Sequence, residues 1–304
     1  MRYLLLYTLL LTPALGFSQI YVLNDDNQIL DKQTITSVAI FNNKIWLATH
    51  GGLIKLNKAL TEHQIVDDTY ILPGQQIFDL TIHSNKLWLV GNTGFANFDG
   101  TKWEKETPKE FTFLPRKMVF DSTGTLWIAG NRGFETTLLI AWQDQVLQQH
   151  DNKSGLFIDI VSGLTTDQTG NIWLSTYRGL NKYNGNQWHL YDKSTGLPSN
   201  HITGVVIGPK GMVWIGTKRN GISIFKNEEW HHRIGPNLPQ ILNFSKQGEL
   251  IVARSKKEFS IFENGTWALY QPKLSKQQII TAITIDKTNF YIGTNKGLLV
   301  YPRE

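Results

Sequence analysis

The sequence predicts an all-β fold, a seven-bladed β-propeller with four-stranded blades, and three observations support this prediction. A unit of about 40 residues recurs along the chain. Each unit contains short β-branched and aromatic runs separated by Gly and Asn turns. All ten tryptophans fall in one of two slots of the unit. The first slot is occupied, in chain order, by Trp46, Trp88, Trp127, Trp173, Trp214, Ile251 and Tyr291.

The fourth unit shows how one blade is expected to form. The runs VSGLTTD, IWLST, LNKYN and WHLYD are separated by turns at Gly170–Asn171, Arg178–Gly179 and Gly185–Asn186. Gly and Asn tolerate the positive φ angles that tight hairpins need. The connections also repeat, because residues 151–170 align without a gap to residues 192–211. Four strands at this period are typical of a propeller blade.

The tryptophans are predicted to be core residues rather than ligand contacts. A single blade cannot bury both of its faces, so neighbouring blades must stack on each other. The first-slot aromatic lies on the predicted second strand, where it should pack between two blades. The second-slot tryptophan is expected to open the outer strand and cover the flank of its own blade. Trp103, Trp142, Trp188, Trp230 and Trp267 occupy this second slot.

The two chain ends carry separate predictions. Residues 1–18 have Arg2, an apolar stretch to about Leu15 and then small residues, which is the layout of a secretory signal peptide cleaved near Ser18–Gln19. The alternative is a membrane anchor, but the apolar stretch is shorter than the roughly 20 residues of a spanning helix. The last unit stops after its third strand. Residues 20–30 resemble a fourth strand, and their pairing with residues 298–301 would close the ring of a single domain, 19–304.

Composition excludes several classes of function. The formal net charge is +5 and no Lys/Arg-rich run is present, so a nucleic-acid partner is not expected. The chain has no Cys, which excludes disulfides, thiol catalysis and Cys-ligated zinc. No segment after the N-terminus is long and apolar enough to span a membrane. We expect a periplasmic or secreted protein without a membrane span in its mature chain.

The repeats resemble the two-component regulator propeller repeat of bacterial periplasmic sensor domains. That pattern has a D-x-x-G-x-[LI]-W core, a Y-x-G turn and a G-L-P-x-N connection, matched here by DQTGNIWLSTYRGLNKYNG and GLPSNHI. The resemblance is weaker in the sixth unit, where Ile251 replaces Trp. It implies recognition of carbohydrates or other ligands outside the inner membrane. Signalling would need a partner kinase, or an envelope complex, encoded elsewhere.

The predicted ligand-binding surface is the face that carries the connections between blades and the turns between second and third strands. Loops on a rigid scaffold commonly carry recognition. These seven turns contain eight Lys or Arg residues and a single acid, Glu258. Converging positive charge predicts an acidic partner, such as an acidic or sulfated glycan or an acidic protein surface. The predicted contacts are Arg132, Tyr177, Arg178, Asn200, His201, Lys218, Arg219, Arg254, Lys256 and Lys296; the turns also contain Lys257.

Catalysis has little support in the sequence. The eight histidines are scattered, and no pattern of His or carboxylate ligands predicts a metal site or a cofactor. The Asp-x-x-x-Gly stretches lack the spacing of calcium loops and are interpreted as turns. The enzymatic alternative is a propeller lyase or lactonase, which would need an acid/base His and a Glu near the channel. A periplasmic assembly or scaffold protein is the remaining alternative. The basic turns have an equally good alternative explanation: exposed loops often carry Lys and Arg because these residues keep a protein soluble.

Overall fold

A computed structural model describes residues 21–23, 34–66, 76–106, 108–109, 111–133, 136–157, 159–236, 238 and 240–303. Seven four-stranded antiparallel sheets make up this part of the chain. In blades 1 to 6 the strands of each sheet follow one another in sequence order, as the repeat predicts. The predicted all-β, seven-bladed propeller is therefore confirmed. The predicted signal peptide, residues 1–18, lies outside the described residues.

The strand bounds follow the repeat closely. The strands of blades 1 to 3 are β2 (Ile35–Phe41), β3 (Lys44–Thr49), β4 (Gly52–Asn57) and β5 (His63–Val66); β6 (Ile77–His83), β7 (Lys86–Gly91), β8 (Gly94–Phe98) and β9 (Trp103–Glu106); β10 (Leu114–Phe120), β11 (Leu126–Arg132), β12 (Thr136–Gln143) and β13 (Val146–His150). Those of blades 4 and 5 are β14 (Val161–Thr166), β15 (Ile172–Thr176), β16 (Gly179–Tyr183) and β17 (Trp188–Tyr191); β18 (Ile202–Ile207), β19 (Val213–Thr217), β20 (Ile222–Lys226) and β21 (Glu229–Ile234). Those of blades 6 and 7 are β22 (Asn243–Gln247), β23 (Leu250–Arg254), β24 (Phe259–Glu263) and β25 (Thr266–Tyr270); β26 (Ile280–Ile285), β27 (Asn289–Thr294), β28 (Gly297–Pro302) and β1 (Tyr21–Leu23).

Blade 7 is closed by the N-terminal strand. Strand β1 pairs antiparallel with β28, with Tyr21 opposite Val300 and Leu23 opposite Leu298. The sheet order is β1-β28-β27-β26, so the outer strand of the last blade comes from the other end of the chain. This register agrees with the predicted closure. Residue 20 and residues 24–30, the rest of the predicted closing segment, lie outside the described residues.

Within the described residues the core is divided into seven hydrophobic clusters, each lying between two adjacent blades. Trp173 of blade 4, for example, is 2% exposed and packs against Val205 and Ile215 of blade 5. Tyr291 of blade 7 fills the equivalent place against blade 1. The other first-slot residues are also buried, apart from the half-buried Trp88. The first-slot side chains therefore hold the blades together, as the sequence predicts.

The second-slot tryptophans are the first or second residue of the outer strand in four blades, but the prediction is wrong for blade 3. Trp142 lies near the end of the third strand, β12, directly opposite Leu147 of the outer strand. In the other blades an aromatic residue of the third strand faces the outer tryptophan, as Tyr183 faces Trp188. The turn at Asp144–Gln145 follows Trp142 instead of preceding it. The sequence spacing between the two tryptophans is kept, but in blade 3 the tryptophan lies on the third strand and its cross-strand partner, Leu147, lies on the outer strand.

The connections before blades 4 and 5 share one local structure. Asp151 caps a 3₁₀ turn at Asn152–Ser154 through the backbone N–H of Lys153, and Gly155 ends it at φ 89°. The second connection repeats this arrangement, with Asp192 at the start and a glycine at positive φ at the end. Both Asp side chains are used as caps, which agrees with their interpretation as turns. Among the described residues, none belongs to a helix that could span a lipid bilayer.

Candidate functional site

The turns between second and third strands lie on the same face as the connections between blades. In blade 4, Val161 at the start of β14 pairs with Thr176 at the end of β15. The chain entering the blade therefore lies beside the turn that follows β15. The same pairing recurs at Ile202 and Thr217 in blade 5. We call this side of the ring the connection face.

A cavity of about 480 Å³ opens on the connection face, and we call it the mouth cavity. It lies between the inner strands of blades 3 to 6 and the turns above them. The side chains that line it include four cations, and no carboxylate residue is found among its described lining residues. Its lining comprises Arg116, Lys117, Val161, Ser162, Tyr177, His201, Thr203, Lys218, Gln240, Leu242, Asn243 and Lys256.

Tyr177 and His201 form a stacked pair at the edge of the mouth cavity. Their ring centroids are 3.9 Å apart and the planes differ by 24°. Burial lowers the pKa of His201 below its ordinary 6.5, and the charge of Lys218 lowers it further. Asp159 acts in the opposite direction, but the pKa remains lowered. At neutral pH the imidazole of His201 is therefore mainly neutral, and with Tyr177 it forms an aromatic platform beside the cations of the mouth cavity.

Arg116 reaches the mouth cavity because the inner strand bulges at its position. In six blades the register between the first and second strands shifts by one residue. In several blades the extra residue is a Ser or Thr. The hydroxyl groups of Ser162 and Thr203 each donate to a backbone carbonyl of the next blade at 2.7 Å. In blade 3 the extra residue is Arg116, whose Nε donates to Oδ1 of Asn131 at 3.1 Å. A β-bulge re-aims the side chain at its position, which explains this placement.

Arg254 serves the fold rather than the mouth cavity. Strand β22 pairs with β23 without a register shift, so blade 6 lacks the bulge hydroxyl that bonds the next blade. The Nη1 of Arg254 instead donates to the carbonyl of Ile280 in blade 7, at 3.0 Å. Burial lowers the pKa of Arg254 to about 10, so it remains protonated at neutral pH. The Arg254 side chain thus makes an inter-blade hydrogen bond and lies outside the lining of the mouth cavity.

The other predicted contacts lie partly inside and partly outside the mouth cavity. Tyr177, His201, Lys218 and Lys256 are brought together in the mouth cavity, whereas Arg178 and Arg219 are exposed outside its lining. Arg132 donates to Oγ1 of Thr112 at 2.7 Å. The half-buried Lys296 also lies outside the lining.

Two further predicted positions are used by the fold itself. Lys257, from the predicted basic turns, donates to three backbone carbonyls at residues 275, 276 and 278, so its ammonium is bound within the fold. Asn200 accepts the N–H of Lys193 at 2.8 Å, which fixes the connection before blade 5. Neither residue belongs to the lining of the mouth cavity.

A second cavity of about 470 Å³ lies among the inner strands and forms part of the central channel. Lys117 lies in both cavities, and its Nζ is 3.5 Å from Oδ1 of Asp79. Asp79 also accepts the N–H of Met118 at 3.2 Å. Charge within the channel is therefore partly neutralised, and the excess of cations is greatest at the mouth.

Sequence reasoning missed Arg116, Lys117, Asp79 and Asp159. All four lie on inner strands or connections, whereas the charge count was restricted to the turns. The Arg-Lys pair within the run LPRKMVF was a usable signal, because it places two adjacent cations in the first strand of a blade. Among the described residues, no cluster of three or more His, Asp or Glu side chains is placed to hold a metal ion.

Comparison with known proteins identifies one repeat and the fold. Residues 196–219 match the family model described as "two component regulator propeller". The matched segment runs from the connection before blade 5 to the turn that carries Lys218. No curated protein matches the chain significantly.

Several solved structures share the fold at low identity. The extracellular domain of the putative hybrid two component system BT3049 from B. thetaiotaomicron is 20% identical, with a TM-score of 0.68 over 88% of this chain and 39% of that chain. The chain thus spans about two fifths of that protein's length. A catalytically inactive virginiamycin B lyase from Staphylococcus aureus, solved with quinupristin, is 13% identical, with a TM-score of 0.74 over 95% and 100% of the two chains. YCF48 bound to D1 peptide is 15% identical, with a TM-score of 0.67 over 96% and 97%.

Proposed function

We propose that this protein is an extracytoplasmic recognition propeller that binds an acidic ligand in its mouth cavity. The observation that carries the proposal is the charge of the lining. Arg116, Lys117, Lys218 and Lys256 converge there, and the described lining residues include no carboxylate. Like charges brought together around a concave surface attract anions and raise their local concentration.

An acidic or sulfated glycan is the ligand class that fits this cavity best. A volume of about 480 Å³ lies within the range of about 300–1,000 Å³ typical of small-ligand sites. The Tyr177–His201 pair offers a flat surface on which a sugar ring can stack. Arg116 can donate to a carboxylate or sulfate through its remaining guanidinium N–H groups. Charge and stacking together would select an acidic sugar over a neutral one.

The comparisons support a recognition role. A repeat of this chain matches the two component regulator propeller model, and the similar BT3049 structure is an extracellular domain. Coupling to a partner kinase or envelope complex encoded elsewhere, and a periplasmic or secreted location, belong to this proposal. The lyase alternative would need a Glu beside the histidine. Among the described residues lining the two cavities, His201 is the histidine and no Glu is present.

The test is binding of neutral, uronic-acid and sulfated oligosaccharides, measured by calorimetry at about 20 mM and about 500 mM salt. We expect binding of acidic oligosaccharides that weakens with salt, because the Debye length falls from about 20 Å to below about 5 Å. The variant Lys218→Ala/Lys256→Ala should lose most of it. Lys226→Ala, an exposed cation at the opposite end of β20, is the matched control. Salt-insensitive binding, or equal binding by the double variant, would contradict the proposal.

The chain also offers an internal comparison. The triple variant Arg132→Ala/Arg178→Ala/Arg219→Ala removes three exposed cations of the connection face that lie outside the mouth cavity. We expect it to weaken oligosaccharide binding less than the double variant does, because screening reduces the attraction of distant charges. A stronger effect of the triple variant would show that the oligosaccharide binds at the exposed turns outside the mouth cavity.

A further inference from the structure

Three large apolar side chains are exposed on the connection face of blades 3 and 4. The exposed fractions are 54% for Leu114, 43% for Phe157 and 39% for Tyr177. Among the described residues, the other exposed large apolar side chains are Ile65, Ile82 and Val146. Ile65 and Val146 lie on outer strands, and Ile82 lies beside the turn at the opposite end of blade 2. Single exposed apolar residues are ordinary, but a group on one face marks an interaction surface.

Leu114 faces the connection that carries Phe157. Leu114 lies directly opposite Asn131 in the antiparallel pair β10–β11, and opposed residues project from the same face of a sheet. The side chain of Asn131 donates to the carbonyl of Asp159 at 3.0 Å and accepts the N–H of Val161 at 3.2 Å. The face shared by Leu114 and Asn131 is thus the one that meets blade 4 at residues 159–161.

Phe157 is held in place by a buried side chain. Asn181, which is 0% exposed, accepts the N–H of Phe157 at 3.1 Å and donates to its carbonyl at 3.2 Å. This double hydrogen bond fixes the backbone of a residue whose ring is exposed to solvent. A preorganised contact loses little conformational entropy on binding. The third apolar side chain belongs to the same junction, since the N–H of Tyr177 donates to the carbonyl of Ile160 at 3.2 Å.

Cations flank these apolar side chains. Arg132 is anchored on Thr112, two residues before Leu114, and exposed Arg178 directly follows Tyr177. Arg116 lies on the same strand as Leu114. The nearby acid, Asp159, accepts the N–H of Ile160 through Oδ1 at 2.5 Å, so its charge is partly engaged by the backbone. The junction therefore carries both exposed apolar and cationic groups.

We propose that this surface, which we call the blade 3–4 rim, docks an acidic segment of a partner protein. The blade 3–4 rim consists of Leu114, Arg116, Arg132, Phe157, Tyr177 and Arg178. Apolar contacts spaced along a basic surface fit an extended peptide whose carboxylates alternate with apolar side chains, each residue advancing about 3.3 Å. Complementary charge would speed association, and the apolar side chains would provide the central contacts. The blade 3–4 rim shares Arg116 and Tyr177 with the mouth cavity, whereas Leu114, Arg132, Phe157 and Arg178 lie outside the lining of that cavity.

The test uses the full chain and fluorescein-labelled synthetic peptides of about twelve residues, long enough to span about 40 Å when extended. The probes alternate Asp with Leu or Phe at different spacings. Matched peptides carry Lys in place of Asp, or Ser in place of the apolar residues. We expect anisotropy to show binding of acidic-apolar peptides only. Leu114→Ser and Phe157→Ser should each weaken it about tenfold, the loss of a well-packed contact.

Two variants serve as matched controls. Val146→Ser and Ile82→Ser remove exposed apolar side chains elsewhere and should leave peptide affinity unchanged within about twofold, as expected for positions outside an interface. Lys218→Ala/Lys256→Ala should lose most of its oligosaccharide binding and keep its peptide binding, so failure of this proposal is distinguishable from failure of the proposed function.

Four outcomes would overturn the docking proposal. The first is absence of binding by every acidic-apolar peptide. The second is a loss of affinity in the control variants equal to that in Leu114→Ser and Phe157→Ser, and the third is binding of the Ser-substituted peptides as tight as that of the acidic-apolar ones. The fourth is self-association in ultracentrifugation that Leu114→Ser abolishes, which would identify a second copy of this chain as the occupant.

Discussion

Trp173 donates its indole N–H to Oδ2 of Asp167, six residues earlier, at 2.8 Å. The other oxygen of Asp167 accepts the backbone N–H groups of Thr169 and Asn171, each at 3.0 Å. One carboxylate thus joins the turn after the inner strand to the aromatic residue between blades. Blade 3 repeats the bond between Asp121 and Trp127 at 2.7 Å. This explains physically why the repeat places Asp before its turn glycine and Trp after it.

The first prediction concerns this carboxylate. Asp167→Ala should lower the free energy of unfolding by about 1.5–3 kcal/mol, because the indole N–H and two backbone donors would lose a charged acceptor. Urea unfolding measures the effect. Glu229→Ala, at an exposed position of β21, should change the stability by less than about 0.5 kcal/mol. Equal stability of the two variants would show that the Asp–Trp link is dispensable.

Blade 5 shows what happens when the carboxylate is missing. Gly208 stands six residues before Trp214, and among the described residues the buried Trp214 Nε1 has no hydrogen-bond partner. A Cβ at position 208 would lie only 2.4 Å from that nitrogen, so the indole occupies the space. We expect Gly208→Ala to destabilise the protein, since a contact this short forces the indole ring to shift. The same urea unfolding experiment measures the change, and unchanged stability would contradict the described position of the indole.

Acid stability provides the next prediction. Burial tends to raise the pKa of Asp167, but hydrogen bonds from Trp173, Asn171 and Thr169 outweigh it and lower the pKa. The pKa of Asp121 is lowered for the same reason. A pKa lower in the folded state than in the unfolded state stabilises the protein above the unfolded value of about 3.9, and this contribution is lost as pH falls through the folded pKa.

Unfolding midpoints of the wild type should therefore fall steeply below about pH 4. The double variant Asp121→Asn/Asp167→Asn should be less stable at pH 7 but less sensitive to acid, because the two linked protonations have been removed. Thermal unfolding between pH 7 and pH 2 measures both curves. Parallel curves for the two proteins would contradict the role of these carboxylates.

Much of the fold followed from the sequence because the repeat encodes it locally. The buried first-slot residues and the hairpin turns recur from unit to unit, and the closing strand supplies the fourth strand that the last unit lacks. Trp142 was misplaced because moving the turn past it preserves the sequence spacing while changing its strand. The site was harder to predict. Arg116 enters the mouth cavity through a bulge, and Arg254 is used where a bulge is absent, and neither feature leaves a signal in residue spacing.

The packing of first-slot residues between blades can be tested at Trp173. Trp173→Ala should cost about 3–5 kcal/mol, because the 2% exposed side chain would leave a cavity between blades 4 and 5. Trp173→Tyr should be milder. Tyr291 already fills the equivalent place in blade 7, and its hydroxyl donates to Oδ2 of Asp286 at 3.1 Å. If Trp173→Ala left stability unchanged but removed ligand binding, the assignment of this residue to the core would be wrong.

Ring closure is tested by removing the N-terminal strand. Deletion of residues 19–34 takes away β1 and exposes the edge of β28 in blade 7. An unpaired edge strand offers N–H and C=O groups to other chains, so we expect aggregation or a large loss of stability. Size-exclusion chromatography and thermal unfolding provide the measurement. A monomeric truncated protein with an unchanged Tm would contradict the seven-blade closure.

The final prediction concerns pH and the Tyr177–His201 platform. The cationic neighbours Lys218, Lys256, Arg116 and Lys117 surround the same cavity, and burial together with Lys218 lowers the pKa of His201. His201 is thus neutral at pH 7 and gains a proton only below its ordinary 6.5. A bound anion favours the protonated imidazole, so by linkage the affinity for the anion should rise as pH falls through this lowered pKa. A sulfated oligosaccharide is the right probe, because its own charge stays constant over this range.

We expect affinity for the sulfated oligosaccharide to be constant above the ordinary imidazole pKa of 6.5 and to rise about fivefold once the pH has fallen through the lowered pKa of His201. The factor corresponds to about 1 kcal/mol of attraction between unit charges about 4 Å apart in a water-like dielectric. His201→Gln keeps a polar side chain but cannot gain the proton, so its affinity should stay flat across the whole range. His189→Gln, on the exposed outer strand of blade 4, should retain the wild-type rise. A rise that persists in His201→Gln would assign the titration to another group, and a flat wild-type curve would place the anion out of contact with the platform.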